Sequence, residues 1–345
     1  MSLANKASAA SLAPGKLILS GEHAVVYGAP ALALAVARHI HSQCSILPDT
    51  AAGLSWSLPD LQQQGFLSWA DVRAQVALLD SRHKDFESGE LAAAAILQSP
   101  QQLVLYCLAL CLPESDPKEH LQLTVRSELP AGAGMGSSAA AAASVLTLVS
   151  AQFGDAFSTQ KLYEMTRYCE RLCHGRGGMI DSATVSFGGL VEVLNSVPAA
   201  IPDVTLTGQW FYINSGRPVA GTGECVEQVR SRFANSAIWQ EFAAITAQIK
   251  DAVLDKRDAR VAIRENQRLL EVIGVVPDKV ARFARAVEAA GGAVKISGAG
   301  SVRGDAGGAM LACGINEQVL ANLCTNFSYE YFAIEEDRYG ARLSH

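Results

Sequence analysis

Apolar and polar positions alternate with a period of two over residues 40–47 and 121–125, and apolar residues run together over 17–19, 31–36 and 189–194. These segments read as strands, with 17–19 and 31–36 also open to being strand–helix boundaries. Helical patterns cover 101–112, 137–153 and 159–173, and Ala139 to Gln152 is rich in helix formers with no Gly or Pro. A turn-rich stretch follows at 175–178. The Pro-containing connector 197–203 lacks periodicity of its own and marks a change of domain, after which 209–213 opens a new strand. Downstream, helices are predicted at 223–233, 238–254, 259–272, 278–290 and 318–323, with strands at 293–297, 308–313 and 331–335. Strands and helices mixed without a regular βαβ repeat predict an α+β sandwich. No internal repeat is present, and the alanine runs follow from helix propensity and close packing.

The chain has 345 residues, enough for about two domains and a large core, and the connector places the division at 200/201. A net charge of −6 and the lack of a Lys/Arg cluster exclude general nucleic-acid binding but leave room for a local basic pocket. No uninterrupted apolar stretch reaches the roughly 18 residues of a membrane span, and the N-terminus has no signal-peptide pattern. A cytoplasmic protein is expected. Its eight cysteines are scattered, and Cys107/Cys111 and Cys169/Cys173 have helical spacing. Without the paired spacing of a zinc site they read as buried small hydrophobes in a reducing compartment.

Between the 121–125 strand and the alanine-rich helix lies Pro130-Ala131-Gly132-Ala133-Gly134-Met135-Gly136-Ser137-Ser138. Glycines let backbone amides approach an anion without Cβ obstruction, and a following helix adds free N–H groups and the positive end of its dipole. The segment therefore reads as a phosphate loop. It is not a Walker loop, since no Lys-Ser/Thr pair closes it, and Ser137 stands where a dinucleotide fingerprint has its third glycine.

Four segments together resemble the signature set of the GHMP kinase superfamily, named for its galactokinase, homoserine kinase, mevalonate kinase and phosphomevalonate kinase members. They are Ala13-Pro14-Gly15-Lys16 through Tyr27-Gly28, the glycine loop, His174-Gly175 through Asp181 with Phe187-Gly188-Gly189, and Lys295-Ile296-Ser297-Gly298-Ala299-Gly300. The resemblance implies an α+β, two-domain GHMP kinase fold. Residues 1–200 would form an ATP-binding domain of the ribosomal-protein S5 domain 2-like type and 201–345 a ferredoxin-like domain, with the active site in the cleft between them. It also implies ATP and Mg²⁺ as cofactors, a small-molecule acceptor, and room for a homodimer. The opening is most similar to the members that phosphorylate mevalonate, which implies transfer to the 5-hydroxyl of (R)-mevalonate on the way to isoprenoid precursors. A phosphomevalonate kinase or related small-molecule kinase, and a nucleotide-binding sensor without turnover, are the alternatives.

By resemblance Asp181 is the catalytic aspartate that hydrogen-bonds the acceptor hydroxyl, and Lys16 is the positive charge that favours an alkoxide-like oxygen. The loop Pro130 to Ser138 would hold the nucleotide, and Ser138 with Glu170 would hold Mg²⁺. Glu22, His23, Thr222 and Gly298-Ala299-Gly300 would meet the substrate, and the Glu22-His23 pair favours mevalonate. Structural readings stand beside these. Asp181, Ser137 and Thr222 suit helix caps, His23 suits a structural hydrogen bond, and Glu170 suits an exposed helix position paired with Arg167 or Arg171. The segment Lys295–Gly300 departs from many mevalonate kinases by running on through Ser301-Val302-Arg303-Gly304-Asp305-Ala306 before Gly307-Gly308. Arg303 suits either an approach to a phosphate or the substrate carboxylate or a surface pair with Asp305, so neither joins the catalytic set.

Overall fold

The computed structural model describes residues 8–47, 51–130, 132 and 134–344; Ala131 and Ala133 of the glycine loop lie outside the described residues. Strand β1 (Ser8–Ser20) pairs antiparallel with the long β2 (Ala31–Leu47), with register shifts after Pro14 and after Ile18. The hairpin β3 (Gly53–Leu58) and β4 (Gln63–Leu67), helices α1 (Trp69–Glu87) and α2 (Pro100–Ala109), and β5 (His120–Ser127) follow. The glycine loop then leads into α3 (Ser137–Phe153), α4 (Thr159–His174), α5 (Met179–Phe187), β6 (Leu190–Leu194) and β7 (Val197–Ile201). The remainder runs β8 (Trp210–Asn214), α6 (Thr222–Phe233), α7 (Ile238–Leu254), α8 (Arg260–Val272), α9 (Asp278–Ala289), β9 (Ala293–Ile296), β10 (Ala309–Cys313), α10 (Glu317–Phe327), β11 (Glu330–Ala333) and β12 (Arg342–Ser344).

Among the described residues the first sheet has the order β12-β1-β2-β5-β3-β4, and β2 also pairs β6, which carries β7. The length of β2 explains this fork. Residues 31–34 ladder with β6, while 40–47 ladder with β5. Helix α3 packs on β1 and β2, and Ala139, Ala140, Ala142 and Ala143 are fully buried there, so small side chains bring helix and sheet close. The second sheet, β11-β8-β10-β9, is antiparallel throughout and buries Phe211, Ile213, Ile296 and Met310 with Phe242 and Phe283 from its helices. No helix among the described residues is long and apolar enough to cross a membrane.

Buried polar contacts join the two sheets along the end of β1. The Ile18 N–H donates to Ser297 Oγ at 2.7 Å, Asn266 Nδ2 donates to Ser20 Oγ at 2.8 Å, and Ser20 and Thr246 share a hydroxyl hydrogen bond of 2.6 Å. Just beyond, the rings of Tyr27 and Trp239 stack at 4.1 Å. The chain end crosses back as well, since β12 adds to β1 in the first sheet.

Several elements differ from the sequence reading. The 197–203 connector contains β7, an edge strand in which Pro198 is tolerated because β6 is its sole neighbour in the sheet. Helix α1 was not anticipated because only Trp69, Val72, Leu79 and His83 are buried along it, too sparse an apolar face to read. Its start was nonetheless legible as Ser-x-x-Asp, since Ser68 Oγ accepts the Asp71 N–H at 3.2 Å and donates its own hydroxyl hydrogen to Asp71 Oδ2 at 2.6 Å. The short β3, β4 and β12 also escaped notice.

If the Ser297 hydroxyl joins the sheets, Ser297→Ala leaves the Ile18 N–H buried without its acceptor and should cost about 1–3 kcal/mol. Urea unfolding should show a lower midpoint with an unchanged m-value.

Candidate functional site

Strand β1 carries Lys16 into the interior, and the register with Ala35 on β2 holds its backbone. The Lys16 N–H donates to Met135 O at 2.9 Å, which ties the strand to the glycine loop. Lys16 Nζ lies 3.0 Å from Asp181 Oδ1, with the lysine side chain 5% exposed and the aspartate 28%. Asp181 stands in the first turn of α5, whose N-cap is Gly178, so it is not the cap residue.

Gly136 covers this pair. A Cβ at that position would sit 3.0 Å from Lys16 Cγ, 3.1 Å from Cε and 3.5 Å from Asp181 Oδ2, and its φ of +71° is itself a glycine conformation. Gly132 and Gly134 also have positive φ; Gly134 faces Ala309 and Ser297 O of the second half, and Gly132 faces Arg217. Gly136 is the N-cap of α3 and no side chain caps this helix, so Ser137 begins the helix rather than capping it. The first N–H groups of α3 are left without a side-chain acceptor, in a loop where three glycines keep the backbone open to an anion. Pro130, Ser137 and Ser138 frame the described part of this loop, with Ser137 exposed and Ser138 half-buried.

Glu170 on α4 is fully buried, contrary to the exposed helix position expected from its neighbours. Arg171 goes instead to Asp80 at 2.8 Å and lies over the Tyr168 ring. Neither Glu170 oxygen has a hydrogen-bond partner among the described residues, although Ser138 and Cys173 lie beside it and His174 Nε2 is 3.7 Å from Oε2. Burial pushes the Glu170 carboxyl above its ordinary range, the Asp181 charge adds to this, and His174, Ser138 and Cys173 pull the other way. Gly178 sits between the two carboxylates: a Cβ there would be 3.9 Å from Glu170 Oε2 and 4.0 Å from Asp181 Cβ.

A second ion pair lies deeper. Lys295 Nζ on β9 contacts Glu22 Oε1 at 2.6 Å and Ile18 O at 3.3 Å, and both side chains are at most 1% exposed. Burial draws the Lys295 ammonium down from its ordinary value, Glu22 opposes that, and the Lys16 charge adds to it. The Gly298 N–H is 3.5 Å from the same Glu22 oxygen, and the other oxygen, Oε2, has no hydrogen-bond partner among the described residues. His23 donates from Nε2 to Ala299 O at 3.0 Å, and burial lowers the imidazole below its usual value against the opposing pull of that bond and of Glu22. Gly300 has φ +67° and approaches Val275 O so closely that a Cβ would lie 2.2 Å away.

The structure thus brings together Lys16, Glu22, His23, Gly134, Met135, Gly136, Ser138, Glu170, Asp181, Gly298, Ala299 and Gly300. Thr222 is separate in character: it is exposed at the first position of α6, Gly221 is the N-cap, and it makes no side-chain hydrogen bond among the described residues. Arg303 does not pair with Asp305 but makes a two-pronged contact with Glu224 at 2.8 and 3.0 Å, because the loop folds against the start of α6. Sequence reading passed over Lys295 as a charge partner and Arg217 beside the glycine loop. A lysine inside the apolar run 293–296 was the available signal for the first; Arg217 offered none beyond its place in a Gly-Arg-Pro turn.

The buried His23 gives a testable pH response. The unfolded chain takes up a proton near the ordinary histidine value of 6.5 while the folded imidazole resists it, so stability is full above that pH and falls as the pH drops below it toward the lowered folded value. His23→Gln should lose less stability than the parent between about pH 7.5 and 5.5 in urea titrations. A difference between the two proteins that stays constant over that interval would contradict a buried neutral imidazole.

Comparison with known proteins places this geometry. Residues 102–189, which span α2 to Gly189 and contain the glycine loop, Glu170 and Asp181, match the family model described as the GHMP kinases N terminal domain. The chain is 27% identical over 314 residues to a mevalonate kinase of Pyrococcus horikoshii, covering 87% of each protein. It is 28% identical over 321 residues to that of Pyrococcus furiosus, covering 89% of each. The crystal structure of the Methanococcus jannaschii mevalonate kinase superposes with a TM-score of 0.75 at 20% identity, covering 97% of this chain and 98% of that one. The glycine loop that lies over the Lys16–Asp181 pair, and Asp181 itself, fall inside the region similar to the GHMP kinases N terminal domain.

Proposed function

We propose that this chain transfers the γ-phosphoryl group of ATP to the 5-hydroxyl of (R)-mevalonate. The observation that carries the reading is the Lys16–Asp181 pair at 3.0 Å beneath Gly136, where an acceptor oxygen can meet a carboxylate and an ammonium at the mouth of an anion-binding loop. The relatives from two Pyrococcus species, named mevalonate kinase and matched over nearly their full length, support mevalonate as the acceptor. In this reading the 5-oxygen forms a bond to the γ-phosphorus as the bond from that phosphorus to the ADP oxygen breaks. The hydroxyl proton passes to Asp181, and the Lys16 ammonium stabilises the negative charge on the attacking oxygen.

The residues present fit a divalent cation. Glu170 offers a buried carboxylate with neither oxygen hydrogen-bonded, and the Ser138 hydroxyl lies beside it at the start of α3. Mg²⁺ takes few protein oxygens and keeps the rest of its shell for water and phosphate, so this pair would hold it. Bound there, it would neutralise phosphate charge and fix the phosphoryl group. The glycine loop holds the phosphates, and Glu22, His23 and the 298–300 turn form the acceptor side, with Glu22 Oε2 free to accept from a substrate hydroxyl. Thr222 borders that side from the start of α6. Residues 1–200 would form the ATP-binding domain and 201–345 the second domain, with β12 crossing back to β1 of the first sheet.

Asp181→Asn and Lys16→Met should each lower kcat by roughly two or more orders of magnitude while leaving ATP affinity nearly unchanged, because both charges act on the reacting oxygen. Coupled ADP release with mevalonate, 5-phosphomevalonate, galactose and homoserine checks the reading: mevalonate should have the highest kcat/KM, and a higher value for 5-phosphomevalonate would reassign the acceptor.

For the metal, Glu170→Ala should raise the Mg²⁺ concentration needed for half-maximal rate, and Ser138→Ala combined with it should lose less than the sum of the two single effects. Unchanged Mg²⁺ dependence in Glu170→Ala would remove that residue from the cation site.

A further inference from the structure

Outside the glycine-loop site, one face of the first sheet gathers His39, His41 and Glu128. The two histidines are two residues apart on β2 and so share a face of the sheet. Glu128 follows β5 directly opposite, where its N–H donates to His39 O at 2.9 Å and its Oε2 accepts the His39 N–H at 2.9 Å. The backbone therefore fixes the carboxylate against both rings.

The His39 ring is oriented from behind. Its Nε2–H donates at 2.6 Å to Asp337 Oδ2, on a side chain only 2% exposed. Asp337 also accepts from the Tyr339 N–H at 2.9 Å, the Gly340 N–H at 3.0 Å and Arg342 Nη1 at 2.9 and 3.0 Å. Surrounded by donors, that carboxylate acts as an acceptor, so Nε2 carries the proton and Nδ1 presents a lone pair. Nδ1 faces Glu128 Oε2 across 3.7 Å, too far for a hydrogen bond, and His41 Nε2 is 3.2 Å from Glu128 Oε1. One ligand atom from each of the three residues lies within 4.8 Å of the others. A tetrahedral ion with bonds of about 2.0–2.1 Å spaces its ligands about 3.3–3.4 Å apart, inside the 4.8 Å span of these atoms, while the 3.7 and 3.2 Å separations run to different oxygens of Glu128.

We infer that His39, His41 and Glu128 form a Zn²⁺ site, with water as the fourth ligand and Asp337 as the residue that orients His39. Two imidazoles and one carboxylate are a zinc donor set, and a histidine whose far nitrogen donates to a carboxylate is the usual support for one. His41 and Glu128 are 42% and 49% exposed, which gives the ion access from solvent. Arg126, opposite His41 in the ladder, is exposed and free to turn outward, and Arg38 lays its guanidinium on the Phe332 ring at 3.8 Å. An ion here would clamp β2 to β5 just ahead of Pro130, where the glycine loop begins.

Calorimetric titration of the full chain with Zn²⁺, in buffer with excess Mg²⁺, tests the site. The parent should bind one Zn²⁺ more than His41→Ala or Glu128→Gln, both changes at exposed positions that the fold tolerates. Asp337→Asn should weaken that event by about 10–100-fold. Co²⁺ used in place of Zn²⁺ should give the intense visible absorption of a four-coordinate ion in the parent and lose it in the same two variants. If His41→Ala matches the parent in Zn²⁺ stoichiometry and affinity, or if Co²⁺ stays six-coordinate, the site does not exist.

Discussion

The arrangement of this protein depends on keeping the Lys16–Asp181 pair largely out of water without letting it collapse into a closed, inert ion pair. Two charges removed from water lose several kcal/mol of hydration each, and their mutual attraction offsets this only with close contact and good geometry. The contact is 3.0 Å, and the lysine is fixed by its strand ladder and by the bond from its own N–H to Met135 O. Glycine at 136 lets the loop lie on the pair, while Asp181 keeps part of its surface open toward an acceptor. A larger residue at 136 would meet the Lys16 side chain and strain a backbone at φ +71°.

Around that pair the charges do not cancel. Lys16 is set against Asp181 and Lys295 against Glu22, while the buried Glu170 has His174 Nε2 at 3.7 Å and no hydrogen bond to either oxygen among the described residues. An unmatched carboxylate in a dry setting is unfavourable for the empty fold and favourable for a cation, which is how a binding site differs from a structural core. The neighbouring His174 and Ser138 soften the cost without removing it.

Bringing these groups together requires the two sheets to be locked in place. Ser297 accepts the Ile18 N–H, Ser20 bonds both Thr246 and Asn266, and Lys295 meets Glu22, so the line from Ile18 to Glu22 belongs to both halves at once. Buried hydrogen-bonded networks specify one arrangement because every alternative leaves a donor or acceptor unsatisfied. The buried Glu22–Lys295 pair and the turn at Gly298 are built on that line.

Local order was legible wherever the chain writes it locally. The α3 helix from Ser137 to Phe153 and the strand before it follow from periodicity and propensity, and three glycines in a row of small residues announced a loop open to anions. The motif residues Lys16, Ser138, Glu170 and Asp181 could be named from their segments, but not their state. Whether Glu170 faced solvent or the interior depended on α3 and α4 packing over it, since a glutamate flanked by arginines reads as a surface residue on its own helix. The partner of Arg303, the burial of Lys295 against Glu22, and the return of β12 to β1 were likewise hidden, because each joins residues far apart in sequence. Even β7 was decided by the neighbour it pairs with rather than by its own pattern. Sequence by itself determined the elements and the chemical groups each brings; tertiary packing alone decided which charges were paired and which were left exposed to a ligand, because burial and Coulomb energy depend on distances in space that no local spacing encodes.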